Sequence, residues 1–240
     1  MNDRLLRAEA VLGPEAMARL RESRVAVLGL GGVGSWCAEA LARTGVGALT
    51  VMDEDSVCET NINRQAIALH STVGRPKAEV MAERIRDIAP DCAVTAIVGR
   101  YDAENRERFF SCRCDYIADA IDLVACKLDL ICSAMERGIP IISALGTGNK
   151  LDASLLRVCD ISKTEGDGLA RVVRKELRAR GVHHHTVVFS PEKSAAAAQL
   201  EAPPPGRRSV PGSLVWVPAS AGMLMCQHIV TQLIRADQAP

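Results

Sequence analysis

Aromatic side chains are scarce in this chain, since two Trp, two Tyr and three Phe make up 3% of its 240 residues. The chain also lacks an excess of charge, because 29 Lys and Arg balance 29 Asp and Glu. This balance excludes a protein that is basic overall, so any nucleic-acid contact must come from a local patch. A charged fraction of 24% and a mean hydropathy of +0.08 exclude disorder, collagen and a coiled coil. They predict a globular protein of one domain, or at most two, with a substantial core.

Paired cysteines are absent, although the chain contains nine cysteines. No Cys-x-x-Cys pair occurs, and a tetrahedral structural zinc site usually needs two such pairs, so we predict no zinc. The thiols are scattered and no secretory signal is recognised, which argues against a disulfide framework. We therefore expect reduced, mostly buried cysteines in a cytoplasmic protein.

A long apolar run is also missing. The most apolar stretch, residues 213–234, is interrupted by Pro218 and by several polar side chains. A spanning helix needs about 20 predominantly apolar residues. We therefore predict a strand followed by a buried or interface helix here, and no stable membrane association.

Short apolar strands alternate with longer amphipathic helices through much of the chain. This alternation predicts an α/β fold: a Rossmann-like, doubly wound and mostly parallel sheet. We expect one domain, with an N-terminal helical arm (1–22), a core (23–150) and a C-terminal α+β extension (151–240) that includes a mobile crossover loop at 193–211. The predicted strands are residues 24–28, 48–52, 93–98, 115–118, 139–144, 155–158 and 186–189. The predicted helices are residues 33–43, 76–89, 124–137 and 169–179.

A glycine-rich turn follows the first predicted strand, with Gly29, Gly31, Gly32 and Gly34 in the pattern Gly-x-Gly-x-x-Gly. Glycines let the backbone turn tightly and approach a phosphate or ribose, and the next helix offers its N–H groups to an anion. Asp53 ends the second strand, where a carboxylate accepts hydrogen bonds from ribose hydroxyls. Alone, these features predict an adenine nucleotide, with NAD or FAD as the default and a turn without ligand as the alternative.

Two cations follow the ribose acid and favour a different nucleotide. Arg64 lies in Asn61-Ile62-Asn63-Arg64-Gln65, and Lys77 lies in the first turn of the next predicted helix. Breaking the α–β linkage of a triphosphate needs cations to stabilise the developing charge, whereas a nicotinamide cofactor does not require them. Asp119 and Asp122 follow another strand, where carboxylates suit Mg²⁺ that is also held by phosphates. Each of these residues taken alone is also explained as a solvated surface charge or a helix N-cap. Their combination and their order in the chain favour a site for ATP and Mg²⁺.

These motifs as a set resemble the ThiF/MoeB-type adenylyltransferases of the ubiquitin-activating superfamily. The motifs are residues 29–35, 53–55, 61–65, 77 and 119–122, and they cover about residues 4–150. Further strings extend the resemblance toward the tRNA threonylcarbamoyladenosine dehydratases through most of the chain. Those strings are residues 7–13, 36–44, 77–85, 160–164 and 187–190. Two departures are Gly168, where the family usually has proline, and the absence of the zinc-binding Cys-x-x-Cys pairs of the sulfur-carrier relatives.

The resemblance implies an ATP-dependent reaction with Mg²⁺ on tRNA carrying threonylcarbamoyladenosine. The threonyl carboxylate would be adenylated, and the carbamoyl group would close on it and expel AMP. Asp122 would hold Mg²⁺, and Arg7 would reach into the partner's site of a homodimer, so that Arg64, Lys77, Asp122 and Arg7 form the catalytic set. A sulfur-relay protein is a further expected partner. The implied nucleotide-binding residues are Gly29, Gly31, Gly32, Gly34, Asp53, Asp55, Asn61, Arg64, Gln65 and Lys77.

Several features leave alternatives open. The predicted helix at 169–179 and the residue after it carry five cations. These cations would either contact tRNA phosphates or form a solvated helix face. Arg207 and Arg208 would add to a phosphate-binding patch. Three consecutive histidines, 183–185, are not predicted to bind metal, because adjacent residues of an extended segment point to opposite faces. One alternative function is activation of the C-terminal glycine of a ubiquitin-like sulfur carrier. The other is a nucleotide-binding interaction module without catalysis.

Overall fold

The computed structural model describes residues 3–196, 198, 200 and 210–235. In this part of the chain seven strands form one sheet in the order β3-β2-β1-β4-β5-β7-β6. Neighbouring strands are parallel except β6 and β7, which are antiparallel. The predicted mostly parallel, doubly wound sheet is therefore confirmed. The strands are β1 (Arg24–Leu28), β2 (Ala48–Asp53), β3 (Ala93–Val98), β4 (Tyr116–Asp119), β5 (Ile141–Ala144), β6 (Arg157–Asp160) and β7 (Thr186–Phe189).

Helices cover both faces of the sheet, because its central strands are apolar on both sides. On one face α3, α4 and α8 enclose a core with the buried side chains of Val25, Val27 and Val51. On the other face α6 and α7 pack over Ala26, Leu28 and Ile117. The helices are α1 (Leu6–Leu12), α2 (Pro14–Glu22), α3 (Gly34–Thr44), α4 (Lys77–Ile88), α5 (Arg106–Phe110), α6 (Val124–Glu136), α7 (Gly168–Ala179) and α8 (Trp216–Arg235).

The strand order creates the position of the site. β1 pairs with β2 on one side and with β4 on the other. Strands β2 and β3 are therefore added to the sheet in one direction from β1, and the strands from β4 onward are added in the opposite direction. The carboxyl ends of these strands, at Leu28, Asp53 and Asp119, therefore face a common crevice. Ligands of open α/β sheets bind in such a crevice.

The C-terminal stretch differs from its prediction. Residues 216–235 form one helix, and no strand precedes it among the described residues from 210 onward. Val215, Trp216 and Val217 are β-branched or aromatic and favour a strand locally, but α8 packs along α3 and buries Val217 and Ala221. Tertiary packing overrides the local β preference. None of the helices in the described residues combines the length and apolarity needed to cross a bilayer.

Two smaller differences concern element limits. The strand predicted at 155–158 forms at Arg157–Asp160, because Asp152 accepts the N–H of Ser154 and starts a 3₁₀ turn instead. The short helix α5 was not predicted, since its sequence Arg-Glu-Arg-Phe-Phe shows no helical apolar stripe. Of the predicted loop at 193–211, residues 197, 199 and 201–209 lie outside the described residues, and Arg207 and Arg208 with them.

Candidate nucleotide-binding site

A cavity of about 770 Å³ lies at the carboxyl ends of the central strands. This volume is in the range of small-molecule and cofactor sites. The cavity collects most of the residues that the sequence assigned to the nucleotide. These are Gly29, Gly31, Gly32, Asp53, Asp55, Asn61, Arg64, Gln65, Lys77 and Asp122.

The glycine loop is shaped by two contacts with neighbouring backbone. Gly29 has φ +85, and a Cβ at this position would lie 2.6 Å from the carbonyl oxygen of Ala120. A Cβ on Gly34 would lie 1.8 Å from the carbonyl oxygen of Gly29. Gly34 does not line the cavity and acts through packing, whereas a Cβ on Gly31 would meet nothing closer than Gln65 Nε2 at 4.0 Å. The space next to Gly31 is therefore open to a ligand.

Asp53 is fixed at the end of β2 by two backbone donors. Its Oδ2 accepts the N–H of Leu30 at 2.5 Å, and its Oδ1 accepts the N–H of Asp55 at 2.8 Å. Burial raises the pKa of the Asp53 carboxyl, while the charge of Lys77 and these two N–H groups act in the opposite direction. The carboxylate is thus oriented toward the glycine loop, as hydrogen bonding to a ribose requires.

The two predicted phosphate ligands line the same cavity. Lys77 is the first residue of α4, is 5% exposed and places its Nζ 2.9 Å from Asp55 Oδ2. The Nη1 of Arg64 donates to the carbonyl oxygen of Thr60 at 2.8 Å and to Asn63 Oδ1 at 2.9 Å. Both cations are therefore held by neighbouring oxygens, which fixes their direction toward the cavity.

The two aspartates after β4 have different environments. Asp122 lines the cavity and is exposed. Asp119 is fully buried, accepts the N–H of Ile121 at 3.0 Å, and pairs with Lys127 Nζ at 2.6 Å. The expectation that Asp119 is available for Mg²⁺ is therefore wrong, because its carboxylate neutralises a buried lysine of α6. A single protein carboxylate together with phosphates remains a suitable donor set for Mg²⁺.

Other lining residues were missed in the sequence. Tyr101 and Cys126 lie in the cavity wall, and the Tyr101 hydroxyl donates to Asp129 Oδ2 at 2.9 Å. Thr147 and Gly148 follow β5 at the same edge of the sheet. The rule that loops after parallel strands line the ligand crevice could have found Thr147 and Gly148, whereas nothing local marks Tyr101.

Several predicted residues lie away from the cavity. Arg7 is an exposed residue of α1 and is not in the cavity lining, so its role across a dimer stays a prediction. In the basic helix α7, Arg174 donates to the carbonyl oxygen of Thr164 at 2.7 Å, and Arg180, just beyond its end, pairs with Glu176 at 2.8 Å. The exposed cations of this helix are Arg171, Lys175 and Arg178.

The three histidines are separated, as their extended backbone predicts. His185 is 3% exposed and its Nε2 lies 2.8 Å from Ser143 Oγ. Burial, helped by the charge of Lys127, lowers the pKa of His185 to about 3. His184 instead lies at the surface, with Nδ1 3.3 Å from Asp160 Oδ2.

Comparisons with known proteins agree with this geometry. A model of the ThiF family matches residues 3–239. The chain is 42% identical over 238 residues to a protein of Bacillus subtilis named tRNA threonylcarbamoyladenosine dehydratase, a match covering 95% of this chain and 94% of that one. It is 44% identical over 167 residues to the Escherichia coli protein of the same name, covering 70% of this chain and 62% of that one. The structure of that E. coli enzyme, TcdA, in complex with ATP aligns with a TM-score of 0.88 at 36% identity, covering 98% of this chain and 96% of that chain.

Proposed function

This chain belongs to the ThiF family, and we propose that it uses ATP to dehydrate N6-threonylcarbamoyladenosine in tRNA by cyclising the modified base. The observation that carries this proposal is one cavity in which the glycine loop, the Asp53 carboxylate and the cations Arg64 and Lys77 meet. The proposal is supported by the similarity to the Bacillus subtilis protein named tRNA threonylcarbamoyladenosine dehydratase, which aligns over 94% of its length.

In the first step an oxygen of the threonyl carboxylate attacks the α-phosphorus of ATP. The bond to the β-phosphate oxygen breaks, so an acyl-adenylate forms and pyrophosphate leaves. Asp53 holds the ribose, and Arg64 and Lys77 stabilise the charge that develops on the phosphates. Fixed cations in a partly enclosed cavity stabilise such a transition state more than mobile water does.

In the second step the carbamoyl group of the same side chain bonds to the activated carbonyl carbon and gives up one N–H proton to solvent. The bond between that carbon and the phosphate oxygen breaks, and AMP leaves with the oxygen. The oxygen that leaves with AMP is the one that the carboxylate loses, so the base loses the elements of one water overall. Electrons are not transferred, so the reaction needs no redox cofactor. It needs no protein nucleophile, because both reacting groups belong to one substrate.

We propose Asp122 as the protein ligand of Mg²⁺. Its exposed carboxylate lines the cavity that also contains Arg64 and Lys77, so it would hold an ion that accompanies the phosphates. When bound, Mg²⁺ neutralises phosphate charge and assists the departure of pyrophosphate.

We further propose that tRNA approaches along α7. Leu169 in the first turn of this helix lines the cavity, and Arg171, Lys175 and Arg178 follow on the exposed surface. Such cations would contact phosphates and make binding depend strongly on salt.

Arg7 would complete the site of a second copy in a homodimer. We place the enzyme in the cytoplasm, where its thiols stay reduced, and retain a sulfur-relay protein as a further partner. A sulfur-relay partner would join the enzyme without contributing to the chemistry described above.

The proposal is tested by measuring AMP and pyrophosphate release from ATP and Mg²⁺ with two tRNA preparations. One carries threonylcarbamoyladenosine, and the other is the same tRNA with unmodified adenosine at that position. We expect release only with the modified tRNA and its loss in Arg64→Ala. The control is Arg75→Ala, which removes an exposed cation paired with Glu83 outside the cavity lining. Turnover that ignores tRNA and responds to a small protein ending in glycine would favour the sulfur-carrier function instead.

A further inference from the structure

One residue beside the cavity has a backbone conformation that side chains rarely adopt. Asn149 has φ +57 and is the only non-glycine residue with positive φ in the described chain. Asparagine tolerates this region because its short polar side chain can form local hydrogen bonds. A residue stays in this conformation when its surroundings hold it there, and such residues cluster at functional sites.

Asn149 is held by three hydrogen bonds to distant parts of the chain. Its N–H donates to the carbonyl oxygen of Gly212 at 2.8 Å, and its carbonyl oxygen accepts the N–H of Ala195 at 2.7 Å. Its side-chain Oδ1 accepts the N–H of Gly212 at 2.6 Å. Both the N–H and the carbonyl oxygen of Gly212 are therefore bonded to Asn149. The bond from the Gly212 N–H depends on the Asn149 side chain.

The segment held in this way is a wall of the cavity. Pro211 and Ser213 line it together with Thr147 and Gly148. The fit is close, since a Cβ on Gly148 would lie 2.8 Å from Pro211 Cβ. A displacement of the segment would therefore change the shape of the cavity.

The same wall is linked to the proposed phosphate ligand. The carbonyl oxygen of Ser213 accepts from Asn63 Nδ2 at 3.0 Å, and Asn63 Oδ1 accepts from Arg64 Nη1 at 2.9 Å. The wall offers proline, serine and backbone groups, whereas the anchors for ribose and phosphate are Asp53, Lys77 and Arg64 itself. Leu169, at the start of the basic helix α7, lines the same cavity. The segment therefore suits the acceptor better than the nucleotide.

We infer that Asn149 is a positioning residue for the acceptor: its side chain holds Pro211–Ser213 where the carboxylate of the modified base must approach the α-phosphate. This inference rests on the proposed function and adds the residue that sets the acceptor side of the site. Asn149 itself takes no part in the chemistry.

The test uses three variants in the full-length protein. Asn149→Gly keeps the positive φ and both backbone bonds and removes only the acceptor for the Gly212 N–H. We expect its KM for the modified tRNA to rise about three- to tenfold, as loss of one hydrogen bond implies, with kcat and the KM for ATP changed less than about twofold. Asn149→Asp keeps an acceptor and tolerates positive φ, so it should behave like the wild type. Asn149→Ala loses the acceptor and is strained, and should show the largest rise.

A second readout needs no substrate. Hydrogen exchange of the Gly212 amide should be faster in Asn149→Gly than in the wild type and in Asn149→Asp. An unchanged KM for tRNA in Asn149→Gly, with the wild type active, would overturn this inference and leave the proposed function intact. So would a lower melting temperature in all three variants without any change in KM, because that pattern indicates a purely structural role. A wild type that does not dehydrate the modified tRNA would overturn the proposed function, and the acceptor role with it.

Discussion

The ammonium group of Lys77 lies 2.9 Å from the carboxylate of Asp55, and this pair forms part of the cavity wall. The lysine side chain is 7% exposed, whereas the aspartate side chain is 64% exposed. Asp55 therefore holds a largely buried cation in position without enclosing it. In the proposed function, a phosphate that enters the cavity would share or replace this partner, so the lysine would be oriented before the nucleotide binds.

Lys77→Ala should lower the rate of AMP formation about 100- to 1000-fold, because a positioned charge at the developing phosphate anion is lost. The measurement is single-turnover AMP formation at saturating ATP. Arg75→Ala, two residues away and outside the cavity lining, should leave the rate unchanged. Equal rates for Lys77→Ala and the wild type would contradict the assigned role.

The glycines of the loop should separate into packing and ligand positions. Gly34→Ala places a Cβ 1.8 Å from the Gly29 carbonyl oxygen and should destabilise the fold by about 3 kcal/mol. Gly31→Ala has space in the protein, with its nearest neighbour at 4.0 Å, so the bare protein should melt near the wild-type temperature. ATP should raise the melting temperature of the wild type but not of Gly31→Ala. A normal ATP response in Gly31→Ala would show that the nucleotide does not approach this glycine.

The two aspartates after β4 should give opposite phenotypes. Asp119→Ala leaves the buried Lys127 ammonium without its counter-ion and should cost about 3–5 kcal/mol of unfolding free energy. Asp122→Ala removes an exposed side chain, so we expect a stability change within about 0.5 kcal/mol and a higher Mg²⁺ requirement. Urea unfolding and a Mg²⁺ titration of AMP formation measure these effects. Loss of stability in Asp122→Ala with an unchanged Mg²⁺ requirement would reverse the two assignments.

His185 should make the fold sensitive to acid. Its pKa is about 3 in the folded protein and about 6.5 when unfolded, so the unfolded state binds more protons between these values. This contribution to stability is complete above pH 6.5 and falls as the pH decreases, by at most about 1.4 kcal/mol per pH unit. His185→Gln keeps a partner for Ser143 and should reduce the slope of unfolding free energy against pH between about 4 and 6. An unchanged slope would mean that other groups cause the acid sensitivity.

Much of the fold could be predicted from the short-range pattern of apolar and β-branched residues in the sequence. Ala93–Val98 and Thr186–Phe189 form strands at the limits that their β-branched residues indicate. The buried C-terminal helix is also predicted from the sequence, but its first residue is not. Val215 and Trp216 favour a strand locally, and packing against α3 makes the helix begin at Trp216 instead.

The sequence predicts which residues of the glycine loop and of the segments after it line the cavity, because their motif has fixed spacing. The rest of the cavity wall depends on tertiary contacts. Asp119 and Asp122 look equivalent in the sequence, and the buried Lys127 that distinguishes them lies on the following helix. Asn149 follows a glycine in a turn-like stretch, but its bonds to Gly212 join residues more than sixty positions apart. No spacing rule reaches over such a distance.

The central claim is tested most directly by the mass of the modified nucleoside. Modified tRNA is incubated with the full-length protein, ATP and Mg²⁺, then digested, and threonylcarbamoyladenosine is weighed by mass spectrometry. We predict that the nucleoside loses the mass of one water molecule, that the loss requires ATP, and that Arg64→Ala abolishes it while Arg75→Ala does not. An unchanged nucleoside mass, with the protein folded and ATP bound, would contradict the account.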